Sequence, residues 1–292
     1  MSGQSVLGLS VATPVVTMLP RAHARWEESG TIDDVGRIAN AAERLGYHHL
    51  TCSEHIGVPP SQAERRGATY WDPLATFGYL AARTTRIRFA TNVLVLGYHH
   101  PLEIAKRYGT LDRLSGGRVI LGVGVGTLKE EFDLLGVPFD DRGARADDAL
   151  RALRACLSQA EPSYEGSHHA FGGLIVDPCA QQEHVPIWVG GRTLRSLRRA
   201  AALSDGWCPF GITADQAQDW LSRVALPPGF DVILSPDRPF DPIQAPEATM
   251  KALSRLGEAG ATVASARFVH HSLQHYLEQL EALAEQHKAG ST

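Results

Sequence analysis

The feature that most constrains this chain is an eightfold alternation of short apolar runs with amphipathic helical patterns. Each run has the length of a buried strand, and apolar residues at helical spacing follow it. Such units favour parallel strands with helices outside, and in 292 residues they close most simply into a (β/α)8 TIM barrel, an α/β fold. An open doubly wound sheet is the alternative. The predicted strands are Val6–Ala12, Tyr47–Cys52, Arg86–Val95, Arg118–Val125, Pro186–Val189, Asp205–Pro209, Phe230–Leu234 and Ala261–Val269.

The helices carry recognisable start and stop signals. The first helix begins after the capping residue Thr31 and ends at Gly46. The helix between the third and fourth strands begins at Pro101 and ends before Gly116. No strong linker or repeat divides the chain, so we expect a single domain over residues 1–292. The segment 161–182 matches neither the strand pattern nor the helix pattern of the barrel units. We expect it to be an insertion, with a short hairpin around Gly172-Gly173. The segment 58–68 is interpreted as a loop. The other predicted helices are Pro73–Ala82, Lys129–Leu135, Arg145–Leu157, Leu194–Leu203, Ala214–Val224, Pro246–Gly257 and one around Leu273–Ala284.

Composition limits the partners. The formal net charge of −4 argues against nucleic acid, and no run approaches the roughly 20 apolar residues of a membrane span. The first residues lack the pattern of a signal peptide. The four cysteines are far apart in sequence, which fits reduced thiols in a cytoplasmic protein. We therefore expect a cytoplasmic protein that acts on a small molecule, with neither nucleic acid nor membrane as a partner.

Active sites of such barrels lie at the carboxyl ends of the strands. The second strand delivers Glu54-His55 there, and the third delivers Thr91-Asn92-Val93. Histidine titrates near neutral pH and a neighbouring carboxylate biases it, so His55 is the candidate for proton handling. The alternative is a loop histidine satisfied by local hydrogen bonds. Tyr98, His99 and Trp207 are predicted to border the substrate.

Two strand tips are rich in glycine and suit a flat cofactor with a phosphate tail. They are Gly124-Val125-Gly126-Thr127 and Gly190-Gly191-Arg192. Free N–H groups at the start of the next helix, with Arg192 beside them, attract an anion. A plain tight turn also needs glycine, and the residues favour neither reading. A dinucleotide motif is weak, because its third glycine would stand at Lys129.

The histidines come largely as adjacent pairs, such as His48-His49 and His99-His100. Neighbouring side chains of a strand point to opposite faces, so these pairs are poor metal ligands. No metal site is predicted.

Several motifs lie along the chain at the predicted strand and helix ends. They include Ser53-Glu-His55, Leu111-Asp-Arg-Leu-Ser-Gly-Gly-Arg118, Gly122-Val-Gly-Val-Gly126 with Glu130-Glu-Phe132, and Trp188-Val-Gly-Gly191. Together these motifs resemble the bacterial luciferase-like flavin family. The resemblance covers most of the chain and is closest to the branch that uses coenzyme F-420, a 5-deazaflavin. It implies a barrel with an insertion, and a deazaflavin lying across the strand tips. It also implies a non-proline cis peptide at Asn92–Val93 behind the ring, an acid–histidine pair in which Glu54 orients His55, and phosphate contacts from Gly190 and Gly191.

Two departures from the related sugar-phosphate dehydrogenases leave the substrate open. Thr127 stands where those enzymes have a catalytic acid, and Pro59 stands where they have a tryptophan.

The resemblance thus implies an F-420-dependent oxidoreductase that moves a hydride between the deazaflavin C5 atom and a small organic substrate. The reaction is either reduction of a C=C or C=N bond or oxidation of an alcohol. The alternative is an FMN-dependent monooxygenase that uses reduced flavin and oxygen, with a separate reductase as partner. A flavin-binding relative without turnover ranks third. A homodimer is also expected from the resemblance.

Overall fold

Eight parallel strands form a closed barrel in the computed structural model, which describes residues 6–20 and 22–290. Neighbouring strands pair in sequence order, and β8 returns to β1, so no edge is left open. The predicted TIM barrel is confirmed and the open doubly wound sheet is excluded. The strands are β1 (Gly8–Val11), β2 (His49–Cys52), β3 (Arg88–Thr91), β4 (Val119–Gly124), β5 (Ile187–Gly191), β6 (Gly206–Pro209), β7 (Asp231–Leu234) and β8 (Val263–Ala266).

Helices cover the outside of the barrel. The Thr31 hydroxyl accepts from the Asp34 N–H and starts the first of them, and Gly46 ends it with a φ of 88°. Gly116, with a φ of 72°, likewise ends the helix that Pro101 begins. The helices are α1 (Ile32–Leu45), α2 (Pro60–Arg66), α3 (Pro73–Ala81), α4 (Pro101–Ser115), α5 (Lys129–Leu135), α6 (Arg142–Cys156), α7 (Leu194–Leu203), α8 (Ala214–Leu221), α9 (Pro246–Glu258) and α10 (Leu273–Gly290).

The structure corrects the sequence-based boundaries in three places. The segment 58–68 contains α2, because Pro60 can occupy a first helical turn. The third predicted strand is broken: β3 stops at Thr91, and Leu94–Val95 forms a separate short strand against β4.

The third correction concerns the insertion. Its hairpin pairs Tyr164–Glu165 with Ala170–Phe171, so the turn lies at residues 166–169 and not at Gly172-Gly173. The Asp148 carboxylate of α6 explains this position, because it accepts the N–H groups of residues 167, 168 and 169 and the Tyr164 hydroxyl.

Side chains alternate along each strand between the helix layer and the barrel interior. Leu50, Val123 and Trp207 belong to the outer core, which packs against the helices. The inner core contains Ala90, Ile120, Trp188, Cys208, Ile233 and Val263, with Val93 packed on it. This alternation decides which side chains reach the mouth at the carboxyl ends of the strands.

The amino-terminal end of the barrel holds a buried polar cluster. The Nδ1 atoms of His48 and His49 lie 2.8 Å apart, and the Trp188 indole donates to Asp231 over 3.1 Å. In TIM barrels this end serves stability rather than catalysis. None of the helices formed by the described residues is long and apolar enough to cross a membrane.

Candidate functional site

His55 enters the mouth from the end of β2 and is held by a buried glutamate. Its Nδ1 lies 2.6 Å from Oε2 of Glu131, which belongs to α5, the helix after β4. The Glu131 side chain is 1% exposed and that of His55 is 16% exposed. Tyr98 donates its hydroxyl to the same Oε2 over 2.7 Å. The loop after β2 donates two backbone N–H groups to Oε1, from Ile56 at 2.7 Å and Gly57 at 3.1 Å.

These four donors keep Glu131 ionised. Burial raises the pKa of its carboxyl, but the hydrogen bonds from His55, Tyr98 and Gly57 outweigh it and leave the pKa below its usual value. A carboxylate has only acceptors, so His55 Nδ1 must carry a hydrogen and donate it. Nε2 is then the ring nitrogen available for proton exchange. The Tyr70 ring packs edge-on against the imidazole at 4.5 Å between centroids.

Glu54 does not orient His55, and that expectation is wrong. Consecutive residues leaving a strand point to opposite sides. The Glu54 carboxylate turns to the helix layer, where Oε2 accepts the Val95 N–H over 2.7 Å and Oε1 lies 2.7 Å from His99 Nε2. Glu54 therefore fixes the loop after β3, and Glu131 has the orienting role that was assigned to Glu54.

His99 is held by this contact with Glu54. Burial lowers the pKa of its imidazole, but the hydrogen bond and charge of Glu54 outweigh burial, so the pKa lies above its usual value. His99 and Tyr98 also line a cavity of about 250 Å³ with Phe132, Arg142 and His169. The cavity lies between the loop after β3 and α6. Their predicted contact with substrate stays a prediction.

The tip of β3 has the backbone feature that the resemblance implies. The Asn92–Val93 peptide bond is cis, which confirms that prediction. The Ser53 hydroxyl donates to the Asn92 carbonyl over 2.8 Å, and the Thr91 hydroxyl donates to the Gly122 carbonyl over 2.7 Å. These bonds tie the tip of β3 to β2 and β4.

Val93 lies between the glycines of the next two strands. A Cβ on Gly124 would stand 2.7 Å from one Val93 methyl, and a Cβ on Gly190 would stand 2.6 Å from the other. Both glycines are therefore required by packing, whether or not a ligand binds. Gly126, with a φ of 79°, is similarly crowded by Phe132, and Val125 is half-buried beside it.

The tip of β5 combines an exposed cation with a helix start. Gly191 has a φ of 138°, and Thr193 caps α7 by accepting the Ser196 N–H. Arg192 is exposed and has no hydrogen-bond or ion-pair partner among the residues that the structure describes. Thr127, at the neighbouring tip, accepts a hydrogen bond of 3.0 Å from Arg66.

A flat ring with a phosphate tail fits these residues. Gly124 and Gly190 present only backbone beside Val93 at the tips of β4 and β5, and the first N–H groups of α7 with Arg192 suit an anion. Two polar atoms near the mouth, Thr17 Oγ1 and Arg66 Nε, are buried without a hydrogen-bond partner among the described residues. Such atoms are expected where a ligand completes the bonding.

Trp207 does not reach the mouth, so its predicted substrate contact is wrong. It is fully buried in the outer core, and its indole donates to the Ser196 hydroxyl over 3.2 Å. Strand alternation explains the error, because Cys208 is the neighbour that faces the interior.

Sequence reasoning missed Glu131. The only available signal was its place in the Glu130-Glu131-Phe132 motif after the glycine-rich tip. Within residues 6–20 and 22–290, no group of three or more His, Cys, Asp or Glu side chains could hold a metal ion.

Known proteins resemble this chain in sequence and structure. Residues 13–226 match the family model described as luciferase-like monooxygenase. An uncharacterized protein of Mycobacterium tuberculosis is 34% identical over 208 residues, which cover 66% of this chain and 74% of that protein.

Two solved structures share the fold. A monooxygenase from Streptomyces bottropensis superposes with a TM-score of 0.74 at 22% identity, covering 98% of this chain and 100% of that one. A coenzyme F-420-dependent tetrahydromethanopterin reductase from Methanopyrus kandleri also gives 0.74, at 14% identity and coverages of 97% and 98%. The same architecture therefore occurs in a deazaflavin-dependent reductase and in a monooxygenase.

Proposed function

The chain belongs to the luciferase-like monooxygenase family, whose members are oxidoreductases or monooxygenases, and we propose that it is a coenzyme F-420-dependent oxidoreductase. It would transfer a hydride between the deazaflavin C5 atom and a small organic substrate. The observation that carries the proposal is His55, a half-buried imidazole at the mouth whose Nδ1 is fixed on ionised Glu131. Hydride transfer to or from carbon leaves one proton to be moved, and His55 Nε2 is free to move it.

A bound deazaflavin supplies a carbon atom that accepts or donates a hydride. In reduction of a C=C or C=N bond, His55 would start as the imidazolium, with a second proton taken from solvent on Nε2. The substrate would take the hydride on one atom and this Nε2 proton on the other, which leaves His55 neutral. In alcohol oxidation, the hydride leaves carbon while Nε2 removes the hydroxyl proton. Glu131 stabilises the imidazolium that forms in the second case and holds the ring in place in both.

Tyr98 and the loop after β2 position this pair. Their hydrogen bonds to Glu131 occupy both carboxylate oxygens, so the carboxylate cannot swing towards the substrate. We propose that Thr91, Asn92, Val93, Gly124, Val125, Gly126 and Thr127 seat the ring, and that Gly190, Gly191 and Arg192 hold the phosphate.

The second candidate is an FMN-dependent monooxygenase. The family model that matches residues 13–226 is described as luciferase-like monooxygenase, and the proposed ring seat would take either flavin. This alternative requires reduced flavin, which a separate reductase would supply. A homodimer stays a prediction under both candidates.

A titration separates the two. Purified protein is titrated with coenzyme F-420 and, in parallel, with FMN, and binding is followed by cofactor fluorescence. We expect tighter binding of F-420. Tighter binding of FMN would contradict the proposal and direct the search to oxygen consumption with reduced flavin. If neither cofactor bound, the proposed seat itself would be wrong.

A further inference from the structure

Arg267 directly follows β8, whereas Arg192 follows β5 on another part of the barrel. We propose that the Arg267 guanidinium binds an anionic oxygen group of the substrate, a carboxylate or a phosphate, so that the substrate class is a small organic anion. The inference rests on the proposed function only in taking the mouth to be the active site.

The position of Arg267 follows from strand alternation. Val263 of β8 belongs to the inner core, whereas Ala264 and Ala266 belong to the outer one. Ser265 and Arg267 therefore continue the inward-facing set, and Arg267 comes directly after the last residue of the strand. Its backbone is fixed there, because the Phe240 N–H donates to the Arg267 carbonyl over 2.7 Å.

The charge of Arg267 is uncompensated. Among the described residues its side chain makes one hydrogen bond, from a terminal nitrogen to the Pro236 carbonyl over 3.1 Å, and it has no carboxylate partner. Its Nε atom is buried and has no acceptor within that part of the chain. Burial alone lowers the pKa of this guanidinium, with no acid near enough to oppose the effect. A half-buried cation with unused donors is costly unless a ligand completes it.

Arg118 shows how this chain satisfies a buried arginine that has only a structural role. Its side chain makes five hydrogen bonds, to Ser115, Thr84, Ile87 and Ala81, and it stacks over Phe89 at 4.8 Å. Arg267 has the same five N–H groups and uses one of them. The difference indicates that the Arg267 donors serve something other than the fold.

The barrel's strand order separates this cation from the proposed phosphate seat. Arg192 follows β5, whereas Arg267 follows β8, three strands further round the barrel. His55 follows β2, with only β1 between its strand and that of Arg267. A substrate whose reacting carbon faces His55 can thus place its charged group at Arg267, while the cofactor phosphate binds on the β5 side.

Thermal unfolding without cofactor tests the proposal. The probes are sodium benzoate, its neutral analogue benzamide, and inorganic phosphate, each at 50 mM and at matched ionic strength. The variants are Arg267→Met, Arg192→Met, and Arg238→Met, which removes an exposed charge from the loop after β7. Arg118→Met serves as the structural comparison.

We expect benzoate or phosphate, but not benzamide, to raise the melting temperature of the unsubstituted protein and of the Arg192 and Arg238 variants by about 2–4 °C. Whichever anion acts on the Arg192 variant identifies the group that Arg267 prefers. Arg267→Met should lose this response when Arg192→Met has also removed the proposed cofactor phosphate seat. Without ligand, Arg267→Met alone should melt at the same or a higher temperature, because an unpaired buried charge has been removed. Arg118→Met should melt lower.

Three results would overturn the proposal. They are an anion response that survives Arg267→Met in a protein that also carries Arg192→Met, a ligand-free Arg267→Met that melts lower as a structural arginine would, and no anion response in the unsubstituted protein. A response lost in Arg192→Met but kept in Arg267→Met would assign the anion to the cofactor phosphate seat instead. None of these measurements uses a cofactor, so they stand or fall separately from the F-420 titration.

Discussion

Replacing Glu131 by glutamine should invert the tautomer of His55 while leaving the fold intact. Glu131 Oε1 faces two backbone N–H groups, which can only donate. The glutamine oxygen must therefore take that side, and its NH2 group must face His55 and Tyr98. His55 Nδ1 then has to accept a hydrogen bond, so the ring proton moves to Nε2. A neutral His55 that carries its proton on Nε2 can no longer act there as a base.

The cost can be worked from the four hydrogen bonds. Each changes from charge-assisted to neutral, a loss of roughly 1 kcal/mol per bond, but burying a neutral amide costs less than burying a carboxylate. We expect Glu131→Gln to lower the free energy of unfolding by about 1–3 kcal/mol. Loss of general acid–base catalysis should lower turnover by about 10²–10⁴-fold.

Nitrogen-15 NMR of the histidine rings reports the tautomer directly, and urea unfolding reports the stability. The neighbouring variant Glu130→Gln is the control, because Glu130 is exposed and should change stability by less than about 0.5 kcal/mol. The reasoning would be refuted if His55 kept its proton on Nδ1 in Glu131→Gln and the unfolding curve did not move.

Three further predictions follow from packing and burial. Gly190→Ala should lower the free energy of unfolding, measured by urea unfolding, by about 1–3 kcal/mol, because its Cβ would meet Val93 at 2.6 Å. Adding Val93→Ala should restore much of this loss. The control Gly78→Ala, whose Cβ would enter open space, should be neutral or stabilising. Burial, with the nearby Arg88 charge, lowers the pKa of His48 to about 4, and burial also lowers that of His49. Below pH of about 6.5 the unfolded chain binds protons that the folded one refuses, so the free energy of unfolding should fall as the pH drops towards 4. The free energy of unfolding should fall less between pH of about 6.5 and 4 in His48→Gln than in the unsubstituted protein. Equal dependence on pH in the two proteins would contradict this account. Asp148→Asn should weaken the hairpin at residues 164–171, because Asp148 accepts backbone N–H groups of its turn. Limited proteolysis should then cut these residues faster. An unchanged rate of cleavage would show that Asp148 does not hold the hairpin.

Local signals in the sequence were sufficient for the barrel. The cap at Thr31 and the glycine stops at Gly46 and Gly116 act within one helical turn, so they predict helix ends correctly. The parallel arrangement followed from eight short strands with helices between them.

The site was harder to predict because its contacts join distant segments. Glu131 lies 76 residues from His55 in the chain, and no pattern relates the two. A shift of one residue along a strand exchanges the side chains that face the barrel interior, such as Glu54 with His55 or Trp207 with Cys208. A sequence pattern does not place strand ends to within one residue, so it could not make this choice. Arg267 lacks a carboxylate partner among the described residues because no acidic side chain folds next to it, and a sequence does not show which side chains become neighbours.

A crystal structure of the protein with bound coenzyme F-420 would test the central claim most directly. We predict the deazaflavin ring against Val93, its phosphate at Gly190, Gly191 and Arg192, and the His55 imidazole facing the space beside the ring, with Nδ1 still on Glu131. A ring bound elsewhere, such as in the cavity beside Phe132, or a His55 that has left Glu131, would contradict it.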